Sequence, residues 1–208
     1  MNYAKAFVGA VLAGISIGLG GLVFLAVDHR VLGAALFTVG LFTVCTFGLN
    51  LFTGKVCYVF QNDRAYALTL PVIWLGNLVG TGLTALCASL TRSAPALTEK
   101  AASMCAVKTG DNLASLFFLG VLCNIFIYIA VEGFKSNPHD LGKYLSLQFG
   151  VMVFILAGTE HCVADMFYFW MGGAWSGRAI ACILAITLGN GVGGILFPAL
   201  RGYQNSKA

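Results

Sequence analysis

The sequence predicts an all-α membrane protein of six transmembrane helices, three plus three in an inverted repeat, with broken second and fifth helices. Three observations lead to this fold class. Of the 208 residues, 59% are hydrophobic and only 10% are charged, which is too little polar surface for an ordinary water-soluble globule. The apolar residues fall into six long runs. Two of those runs are interrupted at corresponding places, a pattern typical of inverted-repeat transport proteins.

The first, third, fourth and sixth runs each suit one crossing helix, which needs about 20 apolar residues. They span residues 6–27, 65–90, 112–134 and 179–200. The second run, residues 31–60, is too long for one plain helix and is interrupted from Gly48 to Lys55. We therefore expect a half-crossing helix there, followed by a non-helical loop at membrane depth and a short second helix.

The fifth run, residues 149–170, is interrupted from Gly158 to His161, and Asp165 follows the interruption. Irregular backbone and ionisable side chains survive in a bilayer only where they are buried in protein or line a cavity. The fifth run is therefore the first candidate for a functional site.

The six runs divide one transmembrane domain, residues 1–208, into two halves. The first half covers about 6–90 and the second about 111–200. Residues 91–110 are more polar and predict a connector on the membrane surface. A second polar loop is expected from Lys135 to Asp140.

The two halves carry the same short motif. The string Gly-Asn-x-x-Gly occurs at 76–80 in the third run and at 189–193 in the sixth. Three spans followed by three matching spans mean that the second half enters the membrane from the opposite side. Interrupted segments in corresponding halves then point to a site near the bilayer midplane.

Composition excludes several other classes of protein. The net charge of +4 is modest and gives no sign of nucleic-acid binding. The seven cysteines show no C-x-x-C spacing, so neither a metal site nor a disulfide framework is expected.

With the N terminus inside, seven lysines and arginines are cytoplasmic and five are outside, which favours cytoplasmic termini in a cell inner membrane.

The two breaks place hydrogen-bonding side chains at membrane depth. A helix that starts inside the membrane offers unpaired N–H groups and a dipole that favours a small anion. Thr53 supplies a hydroxyl at the first break and His161 an imidazole at the second, and an imidazole titrates near neutral pH. Glu160 is expected to orient the loop by accepting backbone N–H bonds.

Several motifs resemble those of the formate/nitrite transporter family, which includes formate, nitrite and hydrosulfide channels. Leu51-Phe-Thr-Gly resembles the family's first-break motif, and the string from Gly158 to Met166 resembles its second. Gly189-Asn-x-x-Gly-Gly and Cys123-Asn124 are similar too, as is Lys108, which stands 53 residues before His161.

The resemblance implies an aquaporin-like fold and a homopentamer with one pore in each subunit. Each pore would have two hydrophobic slits around a central chamber. The cytoplasmic slit would be formed by Leu41, Leu51 and Phe52, and the outer slit by Phe37, Ile127 and Phe154.

Four further residues take positions along the pore by the same resemblance. Thr53 and His161 would face the chamber, while Lys108 and Asn124 would shape the outer approach, the lysine attracting anions. Without the resemblance, Lys108 would be interpreted as a solvated charge on a loop.

The chain also departs from the family pattern. The second-break motif has Thr159 where an aromatic residue is common, Cys162 in place of serine, and Asp165 where asparagine is frequent. Lys55 follows the first-break motif in place of a small or other polar residue. These differences bear on which anion is preferred.

The predicted function is therefore transport of small monovalent weak-acid anions (nitrite, formate or hydrosulfide), with protonation of the anion in transit. No enzyme activity and no cofactor are expected. The alternative is a pore for a neutral small solute such as water, glycerol or ammonia. A remote alternative is an intramembrane serine protease, suggested by Ser176 in the string Ala174-Trp-Ser-Gly177.

Overall fold

The computed structural model describes residues 2–206, and within that range the chain contains helices and no strands. Met1, Lys207 and Ala208 lie outside the described residues. Lys207 is one of the seven basic residues that the orientation argument places on the cytoplasmic side, so that part of the count has no structural description.

The described residues form ten α-helices and one 3₁₀ helix. The α-helices are α1 (Tyr3–Ala26), α2 (Arg30–Thr46), α3 (Phe52–Lys55), α4 (Arg64–Ala67), α5 (Thr69–Ser89), α6 (Ala94–Gly110), α7 (Leu113–Ser136), α8 (Asp140–Leu156), α9 (Cys162–Met171) and α10 (Gly177–Asn205). The 3₁₀ helix, Val56–Gln61, directly follows α3.

Within residues 2–206, four helical segments are long and apolar enough to cross a membrane. They are Tyr3–Ala26, Arg64–Ser89, Leu113–Ser136 and Gly177–Asn205. They contain most of the first, third, fourth and sixth predicted runs. Two shorter apolar helices, α2 and α9, lie in the two runs that the sequence predicts to be interrupted.

The fifth segment begins earlier than the sequence predicts. Helix α8 starts at Asp140, so the predicted loop from Lys135 to Asp140 is reduced to residues 137–139. The first turns of α8 mix polar residues such as Lys143, Ser146 and Gln148 with apolar ones, and the apolar run starting at Phe149 does not include them. An acidic first residue such as Asp140 suits a helix start because of the helix dipole.

The connector predicted on the membrane surface is the 17-residue helix α6. Its buried residues recur every three or four positions and therefore share one face; they are Leu97, Ala101, Cys105 and Lys108. This face packs against α9. Lys108 is consequently 7% exposed, and the interpretation as a solvated loop charge is wrong.

Glycines bring two pairs of helices into backbone contact. Helix α1 packs along α5, and α7 packs along α10. A Cβ added at Gly80 would lie 2.1 Å from the carbonyl oxygen of Val11, and one at Gly189 would lie 2.0 Å from that of Phe117. Small residues allow this approach where no hydrophobic force drives helices together in lipid.

Both broken segments end their first helix in the same way. Gly48 after α2 and Gly158 after α8 have positive φ angles of 66° and 69°, the left-handed conformation that commonly terminates helices. The chain then runs without helix for three residues before α3 and before α9. The predicted positions of the two interruptions agree with this geometry.

Candidate functional site

An asparagine from α5 holds the first break together. The side-chain oxygen of Asn77 accepts a hydrogen bond from the backbone N–H of Phe52 at 2.8 Å. Its side-chain nitrogen donates to the carbonyls of Ala10 and Asn50 at 2.8 and 2.9 Å. Asn77 is fully buried, so one side chain satisfies backbone groups that the loop would otherwise leave without partners.

An asparagine from α10 holds the second break with the same bonding pattern. The Asn190 side-chain oxygen accepts from the N–H of Cys162 at 2.9 Å, and its nitrogen donates to the carbonyls of Gly120 and Glu160 at 2.8 and 2.9 Å. The Gly-Asn-x-x-Gly motif predicts the repetition of the two halves but not the role of its asparagine. The sequence signal for that role is an asparagine at the same place in both halves, because its side-chain amide can both donate and accept hydrogen bonds.

The two breaks bring Thr53 and His161 together. The Thr53 hydroxyl oxygen lies 2.8 Å from Nε2 of His161, and the two residues are 0% and 2% exposed. The backbone N–H of Ala164 donates to Nδ1 of His161 at 3.1 Å and caps the start of α9.

These partners define the tautomer of the ring. Because Nδ1 accepts a hydrogen bond from Ala164, the proton of a neutral His161 ring lies on Nε2. Nε2–H then donates to the Thr53 oxygen. The hydroxyl hydrogen of Thr53 takes no part in this bond. Thr53 is therefore the residue of the pair that can donate a hydrogen bond to another molecule.

Lys108 forms a buried cluster with two acidic residues. Its ammonium donates a hydrogen bond to Oε2 of Glu160 and lies 2.9 Å from Oδ1 of Asp165. Glu160 and Asp165 are 7% and 2% exposed. Among the described residues, the partner of the Glu160 carboxylate is therefore Lys108, and not the backbone N–H groups expected from the sequence.

A cavity of about 340 Å³ lies beside this cluster. Lys108, Glu160, His161 and Asp165 all line it. Exposed residues at its rim, among them Val107, connect it with the surface.

A second cavity of about 120 Å³ lies between the C-terminal end of α2, the first break and the C-terminal part of α7. Leu41, Leu51 and Lys55 are among the residues that line it. The neighbouring loop is tied to α1, because the Asn50 side chain donates to the carbonyl of Ala6 at 3.2 Å.

Helix α2 passes from one cavity to the other. Phe37 lines the larger cavity, and Leu41, one turn later, lines the smaller one. The ring of Phe37 meets Phe154 edge-on with centroids 6.2 Å apart, and Phe154 stacks on His161 at 5.6 Å. Phe37, Phe154 and His161 therefore form a continuous layer of rings in the wall of the larger cavity.

The remaining predicted pore residues lie outside both cavity linings. Phe52 and Ile127 are 8% and 1% exposed and line neither cavity. Asn124 is fully buried, and its nitrogen donates to the carbonyl of Thr53 at 3.0 Å. Asn124 therefore supports the backbone of the first break, whereas the resemblance implies a position at the outer approach.

A sequence model described as "Formate/nitrite transporter" matches residues 1–203, almost the full length of the chain. The chain belongs to the formate/nitrite transporter family. The resemblance drawn from the break motifs is thereby confirmed, and the protein is a multi-pass membrane protein of a family of transporters and channels.

Two curated relatives of this family indicate its range. The chain is 31% identical to "Nitrite transporter NirC" of Salmonella typhimurium, with 93% of this chain and 80% of that protein covered. It is also 31% identical to "Probable formate transporter" of Methanothermobacter thermautotrophicus, with 92% and 77% covered.

Two solved structures from the same family have closely similar folds. One is described as "FNT family ion channel", with a TM-score of 0.86, 27% identity and coverage of 99% of this chain and 92% of that chain. The other is described as "Pentameric formate channel with formate bound", with a TM-score of 0.81, 25% identity and coverage of 97% and 96%.

The structure places three of the predicted site residues together in the wall of the larger cavity. His161, Glu160 and Lys108 line that cavity together, and Thr53 contacts His161 from behind it. The protease-like string has a different local role, because the Ser176 hydroxyl accepts from the N–H of Ala179 and caps α10.

Proposed function

We propose that this family member conducts small monovalent weak-acid anions, namely nitrite, formate or hydrosulfide, with Thr53 and His161 as its central site. The observation that carries the proposal is the 2.8 Å contact between the Thr53 hydroxyl and His161 Nε2, at the meeting of two helix breaks between two cavities. The names of the relatives, a nitrite transporter and a probable formate transporter, support the same class of substrate.

The central pair provides a hydrogen bond where an anion has lost its water. His161 donates to Thr53, so the Thr53 hydroxyl hydrogen is directed to a passing ion. The starts of α3 and α9 add the positive ends of helix dipoles, although α3 has only four residues and contributes little.

The apolar slits favour the neutral acid over the anion. Phe37, Phe154 and Ile127 form the outer slit in this proposal. A bare charge at the bilayer centre costs at least about 2.5–3.5 kcal/mol, so the anion crosses wholly or partly as its protonated form.

The cytoplasmic slit completes this pathway. It consists of Leu41, Leu51 and Phe52, all of them buried apolar residues on or beside the first broken segment. Asn124 acts on the pathway indirectly, by holding the Thr53 carbonyl and with it the direction of the hydroxyl.

A neutral small-solute pore remains the second candidate function, and one observation favours it. Lys108 faces two carboxylates, so the approach beside the larger cavity does not have the free positive charge that anion attraction requires. Comparison of glycerol and ammonia flux with anion flux separates the two functions.

At the level of the fold, we propose that the halves form an aquaporin-like 3+3 inverted repeat within a single transmembrane domain. The left-handed glycines at 48 and 158 are 110 positions apart, and so are the helix starts at 52 and 162. The identical bonding of Asn77 and Asn190 supports the same equivalence.

The assembly proposed is a homopentamer in the cell inner membrane, with both termini in the cytoplasm. It is supported by the similar structure described as a pentameric formate channel. Large apolar side chains are exposed on the outer faces of several helices, which suits contact with lipid and with neighbouring subunits; examples are Leu19, Leu86, Phe118 and Leu188.

The deciding experiment is a selectivity series on purified protein in proteoliposomes. Formate, nitrite, hydrosulfide, chloride and glycerol are compared at fixed pH. We expect flux of the three weak-acid anions and little flux of chloride, which has no neutral form under these conditions. Glycerol flux with no anion flux would replace the proposal with the neutral-solute pore.

The central site is tested with His161→Phe, which keeps a ring to stack on Phe154 and removes the contact with Thr53. The matched control is His139→Phe, because His139 is exposed and its side chain makes no capping bond. We expect anion flux and its pH dependence to change only in the first variant. An unchanged pH profile in His161→Phe would exclude proton transfer through this site.

A further inference from the structure

The cluster around Lys108 contains one acid more than its base can balance. One ammonium meets two carboxylates, Glu160 and Asp165, and all three side chains are at least nine-tenths buried. Lys108 leaves one oxygen of Asp165 without a partner, because Oδ2 is buried and accepts no hydrogen bond among the described residues.

In the part of the chain that the structure describes, no other charge facing the cluster balances it fully. The neighbouring titratable side chains from α6, α7, α9 and α10 and from the second break include no further ammonium or guanidinium group. They are the thiols of Cys105, Cys123, Cys162 and Cys182, the phenol of Tyr168, and the imidazole of His161, whose Nδ1 accepts a hydrogen bond. Arg30 lies at the rim of the cavity, is exposed, and donates to the carbonyls of Ile155 and Leu156. With both acids ionised the cluster would carry one uncompensated negative charge, which is costly in a buried site.

We propose that Asp165 is a proton-binding site whose occupancy sets the charge in the wall of the larger cavity. The Asp165 carboxylate takes a proton from cavity water to form a carboxylic acid, with its O–H on the oxygen that now lacks a partner. The cluster is then neutral and an anion can approach His161. Loss of the proton to cavity water leaves a negative charge that repels the anion. This inference rests on the proposed function for its role in transport.

A proton fits this site better than a metal cation. The Lys108 ammonium already lies between the two acids and pairs with one oxygen of each, so at most one oxygen of each carboxylate remains for another ligand, whereas hard cations need about six or more oxygen ligands. Within residues 2–206 no group of three or more histidine, cysteine or acidic side chains is arranged to hold a metal ion. Two carboxylates sharing one site is also the arrangement in which one of them keeps its proton.

The proton is detected directly by infrared difference spectroscopy of the carboxylic-acid C=O band. We expect this band in the wild-type protein at neutral pH, shifted in D₂O and absent in Asp165→Asn. The matched control is Asp140→Asn, an exposed acid paired with Lys143, which should retain the band. Persistence of the band in Asp165→Asn, or its loss only in Glu160→Gln, would overturn the assignment to Asp165.

The assignment also has a test that needs no variant. Isotope-labelled aspartate should shift the band in the wild-type protein, and labelled glutamate should leave it in place. The reverse result assigns the proton to a glutamate and rejects the proposal, even if Asp165→Asn fails to fold.

Transport then tests the role of the proton. Formate influx by the wild-type protein should fall by up to about tenfold per pH unit as the band titrates away, because one proton is required. In Asp165→Asn, the amide has the shape and charge of the neutral acid at every pH. Formate influx should therefore lose the part of its pH dependence that comes from Asp165. An equal pH profile in both proteins rejects the gating role. Absence of all anion flux in the wild type would reject the proposed function, while the infrared band still decides whether Asp165 binds a proton.

Discussion

Nε2 of His161 lies 2.8 Å from the Thr53 hydroxyl, although the two residues are 108 positions apart in the chain. Each residue belongs to a different break, so this hydrogen bond joins the two halves at their centre. The bond also determines which atom can donate to a substrate, because Ala164 occupies the other ring nitrogen. The Thr53 hydroxyl hydrogen is the group that remains available.

Thr53→Val should therefore reduce anion flux while the protein still folds. Valine keeps the shape of threonine and removes the hydroxyl, which leaves the Nε2–H of His161 without its acceptor. Loss of one buried hydrogen bond, about 1–3 kcal/mol, corresponds to a roughly 5- to 150-fold lower rate. Formate flux in proteoliposomes is the measurement. Thr53→Ser restores the hydroxyl and should retain most of the flux; equal flux in Thr53→Val and the wild type would contradict the role of this group.

Asn190→Ala should lower the thermal stability of the protein in detergent. The change leaves the N–H of Cys162 and two carbonyls without their partners, at about 1–3 kcal/mol for each buried group that stays unsatisfied. Asn77→Ala should have a similar effect at the first break. The control is Asn62→Ala at an exposed asparagine, which should melt close to the wild type. Equal midpoints for Asn190→Ala and Asn62→Ala would show that the loop does not depend on this side chain.

Two glycines of α10 provide a matched test of helix packing. Gly189→Ala places a methyl group 2.0 Å from the backbone oxygen of Phe117, which can move only if α7 moves with it. We expect destabilisation of about 1–3 kcal/mol, the usual range for overpacking. Gly191→Ala has no atom within 4 Å of the new methyl group and should melt at or above the wild-type temperature. Circular dichroism melts compare the two, and a similar loss in both would argue against the close contact of α7 and α10.

Lys108→Met should destabilise the protein strongly, because it leaves the ionised Glu160 carboxylate buried without a counter-charge, beside the Asp165 acid. Removing one partner of a buried ion pair typically costs about 3–5 kcal/mol. The triple variant Lys108→Met, Glu160→Gln, Asp165→Asn removes all three ionisable groups and should recover much of the lost stability. Lys143→Met, which breaks an exposed pair with Asp140, serves as control and should change little. A single Lys108→Met variant as stable as that control would contradict the buried cluster.

The breaks were predictable because their signals are local. A glycine that follows an apolar run and precedes polar residues marks a helix end, and Gly48 and Gly158 both have the left-handed conformation that this position favours. The start of α8 was missed for a local reason too. Its first turns contain the polar residues Lys143, Ser146 and Gln148 among apolar ones, so they lack the continuous apolar run that predicts the span.

The surroundings of Lys108 could not be predicted from local pattern. Its pairing with Glu160 spans 52 positions and depends on how α6 packs against α9. A lysine in a polar stretch gives no sign that its helix will turn it inward. The asparagines at 77 and 190 are an intermediate case, since the repeated motif showed that they matter but not which backbone groups they hold.

The hydrogen bonds of Asn77 and Asn190 also bear on the order in which parts of the chain can fold. Every partner of Asn77 lies between positions 10 and 77, and every partner of Asn190 lies between positions 120 and 190. The hydrogen bonds that hold each break can thus form within one half of the chain, as soon as that half has left the ribosome. Only the later docking of the two finished halves creates the threonine–histidine contact.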